Sequence, residues 1–410
     1  MLNTYSVVTQ KQVPQKTRNL NPWILACIIP CLLLNACTGS ESSTDINPAY
    51  KDCAEYFKKG QLDKAEVEVQ KLLEQRPNDG ESHFYAGLLA FKKRDFAAAV
   101  TELDRSLELN PKNGKAFSTR AFCLLQLGKY QSALDDIGDA IRLDPKRALN
   151  YHRRALIEHK LKKYQEAVND FDKSSELDPK DAPYYLHYGR AEAYAALKQY
   201  DKALKDYETA VAVMPKGDNR ASIGRAVCRL RMGDLQGAKT DSAKLIVIAP
   251  HDPSALALAG TIALLNGDKS TAQKNYKTAA QTSDENFTDL VDFKSEKASP
   301  AAELAATYVD LKKPKSAVAL MSTIEIDRPL ETAEEIQLAR AYLALKQDER
   351  GLKLLNSAIS TDPDNIWPRL VMIDFYKQRG LLQKAEEVQR EGLSMAKNAK
   401  DKAALSAALR

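Results

Sequence analysis

The chain has 410 residues, of which 44% are hydrophobic and 28% are charged, a balance typical of a folded soluble protein rather than of a disordered one. Lysine and arginine (60) slightly outnumber aspartate and glutamate (55), which gives a formal net charge of +5. Three of the cations, Lys11, Lys16 and Arg18, lie in the first 36 residues, where there is no acid, so the rest of the chain is nearly neutral. This balance argues against a nucleic-acid-binding protein.

Residues 1–36 are predicted to be a signal peptide. A basic region precedes a mostly apolar run from Trp23 to Leu34, which is too short to span a bilayer comfortably. The next segment, Leu34-Asn35-Ala36-Cys37, resembles the bacterial lipobox. The resemblance implies cleavage before Cys37 and diacylation of this residue, which would anchor the chain in a bacterial membrane. An uncleaved anchor and an ordinary secretion signal are the alternatives.

Residues 37–45 are predicted to be the acylated cysteine followed by a flexible tether. The segment after Cys37 is polar and rich in hydroxyl residues, and as a random coil it reaches only about 15 Å. The first folded segment should therefore lie close to the membrane surface. Three cysteines remain beyond the signal, Cys53, Cys123 and Cys228, and no CxxC spacing is present, so we interpret all three as small packing residues.

From residue 46 onwards the chain is organised by an internal repeat. Residues 80–113 have the pattern of two short amphipathic helices joined by a tight turn and closed by Asn110-Pro111. Steps of 34 residues from Ala99 reach Ala65, Ala133 and Ala167, and the same steps from Pro111 reach Pro77, Pro145 and Pro179. A single helix pair cannot bury its apolar stripe alone, so the units must stack on one another.

This pattern resembles the tetratricopeptide repeat, with small residues at positions 8, 20 and 27 of the unit and proline at position 32. Ten units cover nearly all of residues 46–399. The resemblance implies an all-α fold, a right-handed superhelical solenoid of about ten helix-turn-helix repeats. The residues at position 20 are Ala65, Ala99, Ala133, Ala167, Ala203, Ala238, Ala272, Ala317, Gly351 and Ala385. The residues at position 8 are Cys53, Gly87, Ala121, Ala155, Ala191, Ala226, Gly260, Ala305, Ala339 and Ile373.

The register of the repeat divides the chain further. Units one to seven are assigned to residues 46–286, and units eight to ten to residues 298–399. Residues 287–297 fit no unit and are predicted to be a connector, although Phe287, Leu290 and Val291 can form the apolar face of one helical turn. Residues 400–410 are predicted to form a capping helix that covers the last unit.

A partner-binding groove follows from the resemblance. In the family, positions 2, 5, 9, 12 and 13 of each first helix line the concave surface. In units one to five the apolar and aromatic candidates are Tyr50, Phe57, Phe84, Leu88, Phe91, Phe122, Leu125, His152, Leu156, His159, Tyr185 and Tyr188. Position 13 adds a basic edge of Lys58, Lys92 and Lys160. The implied ligand is a protein or peptide segment with apolar or acidic character. The alternative is that these side chains pack between neighbouring first helices and leave only a narrow exposed strip.

No catalytic or metal-binding constellation emerges from the sequence. His152 and His159 lie seven residues apart on one helix, but no third ligand recurs at a suitable spacing. The neighbouring carboxylates Asp135-Asp136 and Asp170/Asp172 are interpreted as a solvated helix face. Phosphate-binding loops and nucleophile elbows are lacking as well, so we predict no enzymatic activity, no metal and no cofactor.

Together these features predict a bacterial lipoprotein scaffold that holds partner proteins at a membrane surface. It would face the periplasm or the cell exterior, on the outer membrane if the host is Gram-negative. A homo-oligomeric structural component of the envelope is one alternative. An enzyme with an unrecognised site is a less favoured one.

Overall fold

A computed structural model of the chain describes residues 50–179, 184–215, 217–283, 287–293 and 299–409. Within these ranges it contains twenty-two α-helices and no strand, which confirms the predicted all-α class. None of these helices is long and apolar enough to cross a membrane. The predicted signal peptide, Cys37 and the tether lie outside the described residues.

The first compact unit ends at Met214 and contains five helix pairs. Its helices are α1 (Lys51–Lys58), α2 (Leu62–Gln75), α3 (Gly80–Lys92), α4 (Phe96–Leu109), α5 (Gly114–Gln126), α6 (Tyr130–Leu143), α7 (Ala148–Lys160), α8 (Tyr164–Leu177), α9 (Tyr184–Ala196) and α10 (Tyr200–Val213). The two helices of a pair pack on each other, and each second helix also packs on the next first helix. The first helices α3, α5, α7 and α9 contact one another in succession, so they form a continuous row.

The second compact unit begins at Pro215. Its helices are α11 (Arg220–Arg231), α12 (Leu235–Ile248), α13 (Pro253–Leu265), α14 (Lys269–Thr282), α15 (Thr288–Val291), α16 (Pro300–Asp310), α17 (Pro314–Asp327), α18 (Thr332–Ala344), α19 (Asp348–Thr361), α20 (Trp367–Gln378), α21 (Leu382–Met395) and α22 (Ala399–Ala407). The C-terminal α22 packs on α21, where Leu405 is completely buried in an apolar cluster with Ile373 and Ala385.

The segment that fits no repeat is packed into this second unit. Phe287, Leu290 and Val291 are all buried, with Leu290 and Val291 in the single turn of α15. The hydroxyl of Thr261 donates a hydrogen bond to the Leu290 carbonyl at 2.7 Å. The Arg328 guanidinium holds the Asp292 carboxylate, with its Nε 2.9 Å from Oδ1. Both polar and apolar contacts therefore tie this segment to neighbouring helix pairs.

Small residues allow the helices of each pair to approach closely. The nine alanines at position 20 are completely buried, as is Cys53 at position 8. A Cβ built on Gly87 would lie 2.6 Å from the Leu103 side chain and 3.2 Å from the Ala99 carbonyl. The repeat therefore depends on minimal side-chain volume at these crossing points.

Every helix pair turns through the same backbone conformation. The residue at position 15, between the two helices, has a positive φ in all ten pairs. Glycine fills this position in five pairs, at Gly60, Gly128, Gly233, Gly267 and Gly380. In the other five the residue is a lysine or arginine: Arg94, Lys162, Lys198, Lys312 and Lys346. The left-handed conformation suits glycine best, so a cationic side chain in this position is a local cost.

Two glycine substitutions test the close-approach requirement. Gly87→Ala should lower the free energy of unfolding by about 1–3 kcal/mol, because its methyl group would collide with Leu103 and the α4 backbone. Gly138→Ala is the matched control, since Gly138 lies inside a helix with no atom within 4 Å of the added Cβ. That change should raise stability by about 0.5–1 kcal/mol through helix propensity. Urea denaturation followed by circular dichroism measures both, and equal effects of the two substitutions would contradict the packing argument.

Candidate partner-binding surface

The predicted groove residues of the first unit lie on the row of first helices, and most of their side chains are packed in the core. Phe122 is only 1% exposed, and Leu88, Phe91 and His152 are each 3% exposed. The other buried members of the set are Tyr50, Phe57, Phe84, Leu125, Leu156 and Tyr188. The aromatic surface expected from the sequence is thus largely consumed by packing between neighbouring helices.

Ring contacts show how this inner row is filled. Tyr85 stacks against both Tyr50 and Phe57, with ring centroids 5.8 and 5.9 Å away. Phe91 meets Phe122 edge to face at 5.7 Å, and the Arg153 guanidinium covers the Phe122 ring at 5.5 Å. These contacts run from the first to the fourth helix pair and join consecutive first helices into one aromatic layer.

Two groove candidates with polar side chains, Tyr50 and His152, are buried inside the fold. The Tyr50 hydroxyl donates a 2.8 Å hydrogen bond to Asp79, the carboxylate that caps the N-terminus of α3. His152 lies between Phe171 and Tyr185, with ring centroids at 5.6 and 4.9 Å. Burial lowers the pKa of His152 to about 3, so its imidazole is neutral at physiological pH. Its Nδ1 has no hydrogen-bond partner among the described residues.

The second histidine of the predicted pair is also neutral. Burial, followed by the charge of Lys160, lowers the pKa of His159 to about 4. Its ring packs edge to face on Tyr164 at 5.3 Å. In the described part of the chain no three His, Cys, Asp or Glu side chains group to hold a metal ion. Aromatic packing therefore accounts for both histidines.

Three of the predicted groove residues that remain accessible are lysines. Lys58 is exposed, and Lys92 and Lys160 are partly exposed at the C-terminal ends of α1, α3 and α7. The rings of His159 and Tyr185 are also partly exposed. We call these five residues the groove strip. It offers lysine ammonium groups and aromatic edges, a surface suited to acidic segments that carry an apolar or aromatic side chain.

A repeated ion pair, absent from the sequence predictions, joins the two helices in four consecutive units. The arginine at position 7 of the unit forms a two-point contact with the aspartate at position 23. The pairs are Arg120–Asp136, Arg154–Asp170, Arg190–Asp206 and Arg225–Asp241. The signal in the sequence is an Arg and an Asp sixteen residues apart, repeated with the unit.

This finding corrects the interpretation of two carboxylates. Asp136 and Asp170 were expected on a solvated face, but they are 7% and 6% exposed and are held by arginine. Asp135 is exposed as expected, and Asp172 is partly exposed and accepts a 2.7 Å hydrogen bond from Arg190. The helical period of the second helix directs Asp136 and Asp170 toward the first helix. The presence of another aspartate nearby in the sequence does not reveal this direction.

Family models match three stretches of the chain. Residues 148–181 and 184–216 each match a model of the tetratricopeptide repeat. Residues 58–140 match the model described as anaphase-promoting complex, cyclosome, subunit 3. The chain is a tetratricopeptide-repeat protein. No curated protein sequence is significantly similar to it.

Several solved structures resemble parts of this tetratricopeptide-repeat protein. A tetratricopeptide repeat protein from Parabacteroides merdae is 22% identical, with a TM-score of 0.44 over 57% of this chain and 91% of its own. PilF of Pseudomonas aeruginosa is 18% identical, with a TM-score of 0.43 over 49% of this chain and 90% of its own. YrrB, described as a TPR protein with an unusual peptide-binding site, is 20% identical, with a TM-score of 0.38 over 46% and 95%.

The repeated ion pair of this repeat protein is expected to stabilise it measurably. Arg190→Met should lower the free energy of unfolding by about 3–5 kcal/mol, because the buried Asp206 would lose its guanidinium partner and keep only the 3.4 Å contact with His187. Arg142→Met is the control, since its partner Asp139 and Arg142 itself are 41% and 73% exposed. The control should change stability by no more than about 0.5 kcal/mol. Urea denaturation measures both variants, and equal losses would refute a structural role for the buried pair.

The same pair should make stability depend on pH. Burial alone would raise the pKa of Asp206, but hydrogen bonds from Arg190 and His187 outweigh it and hold the pKa below its usual value. A lowered pKa in the folded state stabilises the fold above the unfolded pKa, and this contribution is lost as pH falls through the folded value. The stability difference between the unaltered chain and Arg190→Met should therefore shrink below about pH 4. A difference that stays constant down to about pH 2.5 would contradict this assignment.

Proposed function

We propose that this repeat protein is a membrane-anchored scaffold that binds acidic segments of partner proteins along the groove strip. The repeat array supplies the rigid support, and the lipid anchor expected at Cys37 supplies the location. Assembly of a complex in the bacterial envelope is the role that suits both features. Binding of proteins or peptides is the general role of such arrays.

One observation carries the choice of partner. The apolar candidates of the inner row are packed in the core, whereas Lys58, Lys92 and Lys160 remain at the surface. A partner that approached the row would meet ammonium groups first and aromatic edges second. Charge complementarity therefore favours an acidic segment over a purely apolar one.

The described residues support a catalytic role less well than a scaffolding role. His152 and His159, two of the four histidines on the first helices, are neutral and packed against aromatic rings, and the other two, His83 and His187, contact the carboxylates of Glu102 and Asp206. The cysteines Cys53 and Cys123 are completely buried, and burial raises the pKa of each thiol to about 12. Neither group is activated as a nucleophile or a base at neutral pH. A scaffold therefore fits the described residues better than an enzyme.

Site-specific photocrosslinking in cells tests the groove strip. A photoreactive residue at Lys92 or Lys160 should give the same protein adduct from both positions. Lys58→Glu, introduced into either crosslinking variant, should reduce that adduct several-fold, because it reverses a charge at the N-terminal end of the strip.

The matched control places the photoreactive residue at Lys112 or Lys146, exposed lysines in the turns between pairs. Adducts from the control positions alone, or an adduct that is indifferent to Lys58→Glu, would contradict binding along the strip. The identity of the adduct by mass spectrometry would then define the partner.

The membrane anchor is tested separately. Cys37→Ser should move the protein from the membrane fraction to the soluble fraction or retain it as an uncleaved precursor, because position 37 then has no thiol to be acylated. Cys53→Ser is the control and should leave fractionation unchanged. Mass spectrometry of the mature N-terminus should find two or three acyl chains on Cys37, and an N-terminus elsewhere without fatty acid would refute the anchor.

A further inference from the structure

The turns inside the helix pairs of the first unit form a cationic surface. Positions 14–16 of the five units, residues 59–61, 93–95, 127–129, 161–163 and 197–199, contain seven cationic residues and one acid, Asp95. The seven are Lys59, Lys93, Arg94, Lys129, Lys162, Lys163 and Lys198, and all are exposed. We call these seven residues the turn edge. They are distinct from the groove strip, whose lysines are the last residues of the first helices.

The turns on the other side of the unit lack this charge bias. Residues 76–79, 110–113, 144–147 and 178–179 connect one pair to the next. They contain four cations and three acids: Arg76, Lys112, Lys146 and Arg147, with Asp79, Asp144 and Asp178. A high positive charge is therefore a property of one set of turns and does not follow from turn structure in general.

Two of the turn-edge lysines stand where a cation weakens the fold. Lys129 and Lys163 are the N-cap residues of α6 and α8, and neither makes a side-chain capping hydrogen bond. The N-terminus of a helix carries partial positive charge and prefers Asp, Asn, Ser or Thr. In the second pair Asp95 fills the same position and accepts from the Ala98 amide at 3.0 Å. Helix stability accounts for Asp95 but leaves Lys129 and Lys163 unexplained.

Three more turn-edge residues occupy the left-handed conformation. Arg94, Lys162 and Lys198 have φ values of 66°, 59° and 59°. Glycine fills this position at Gly60 and Gly128, and asparagine or aspartate are the side chains that tolerate it best. A cation at all three substituted positions points to a use for the charge that offsets the local strain.

The cations from Lys93 to Lys198 lie on neighbouring turns and act jointly, although Lys93 shares its charge with Glu66, and Lys59, on the first turn, pairs with Glu55. The first helices from α3 to α9 contact one another in succession, and packed helices lie about 10 Å apart. This spacing is close to the Debye length of about 8 Å at physiological ionic strength, so the fields of neighbouring turns overlap. Leu127, 40% exposed, adds an apolar tip between Arg94 and Lys129 along the chain.

We propose that the turn edge docks on the anionic phospholipid headgroups of a membrane. Its cations are carried on the tips of successive turns, a form that suits a broad charged surface, and Leu127 can enter the headgroup region. The inference rests on the membrane location proposed above, and it adds an orientation. The turns would face the lipid.

Vesicle binding tests the turn edge. The chain from residue 38 onwards is used, because every described helix lies within residues 51–407 and no acyl group then contributes. It should bind vesicles of phosphatidylglycerol and phosphatidylcholine in sedimentation assays and show no binding to pure phosphatidylcholine. The triple variant Lys129→Gln/Lys162→Gln/Lys163→Gln should bind the anionic vesicles roughly a hundredfold more weakly, since each cation near such a surface contributes about fivefold.

The matched control is Lys112→Gln/Arg142→Gln/Lys146→Gln, which removes three exposed cations away from the turn edge. It should bind within about threefold of the unaltered chain. Absence of binding to anionic vesicles at physiological salt would overturn the proposal, as would equal losses in the two triple variants. A triple variant that loses binding to a duplex oligonucleotide but keeps binding to vesicles would assign the edge to nucleic acid and would also overturn it.

The vesicle experiment tests the turn edge independently of whether Cys37 is acylated. If the mature N-terminus lacks fatty acid, the anchor fails while the vesicle experiment still reports on the turn edge. If Cys37 is acylated but the vesicles are not bound, the anchor stands and the docking edge fails.

Discussion

The close approach of paired helices at alanine- and glycine-sized positions is the constraint on which the rest of this structure depends. Ala99 leaves room for α3, and Gly87 leaves room for Leu103, so the two helices of this pair pack closely. Position 20 is alanine or glycine in all ten units, and within each compact unit successive first helices contact one another. The groove strip and the turn edge both exist because this stacking brings equivalent positions of successive repeats together.

Stacking also decides which side chains remain for binding. The aromatic rings of the inner row contact one another across repeats, as Phe91 contacts Phe122. The Arg153 guanidinium packs on the Phe122 ring. The Arg–Asp pairs join the two helices of four units and remove four carboxylates from the surface. Packing thus buries most of the apolar groove candidates, the ion pairs bury four carboxylates, and the groove strip keeps its three lysines at the surface.

Some turn residues stabilise the helices, whereas others add surface charge in positions that local structure does not favour. Asp79, Asp95 and Asn113 cap their helices as helix energetics requires. Lys129 and Lys163 stand at the position of Asp95 in their own units without a side-chain capping hydrogen bond, and Arg94 and Lys162 adopt a conformation that favours glycine. These departures from local preference share one charge and one set of turns, which is the basis for assigning the turn edge a binding role.

The sequence by itself determined the repeat, its helix pairs and the buried small residues, because a fixed period of Ala65, Ala99 and Ala133 is visible in the letters alone. It also showed that Leu290 and Val291 form an apolar turn outside the repeat register. Tertiary structure decided how deeply Phe91, Phe122 and His152 are buried, since their packing partners lie on neighbouring repeats. It decided equally that Asp136 and Asp170 face arginine rather than water, because the direction of a side chain depends on how one helix is rotated against the next.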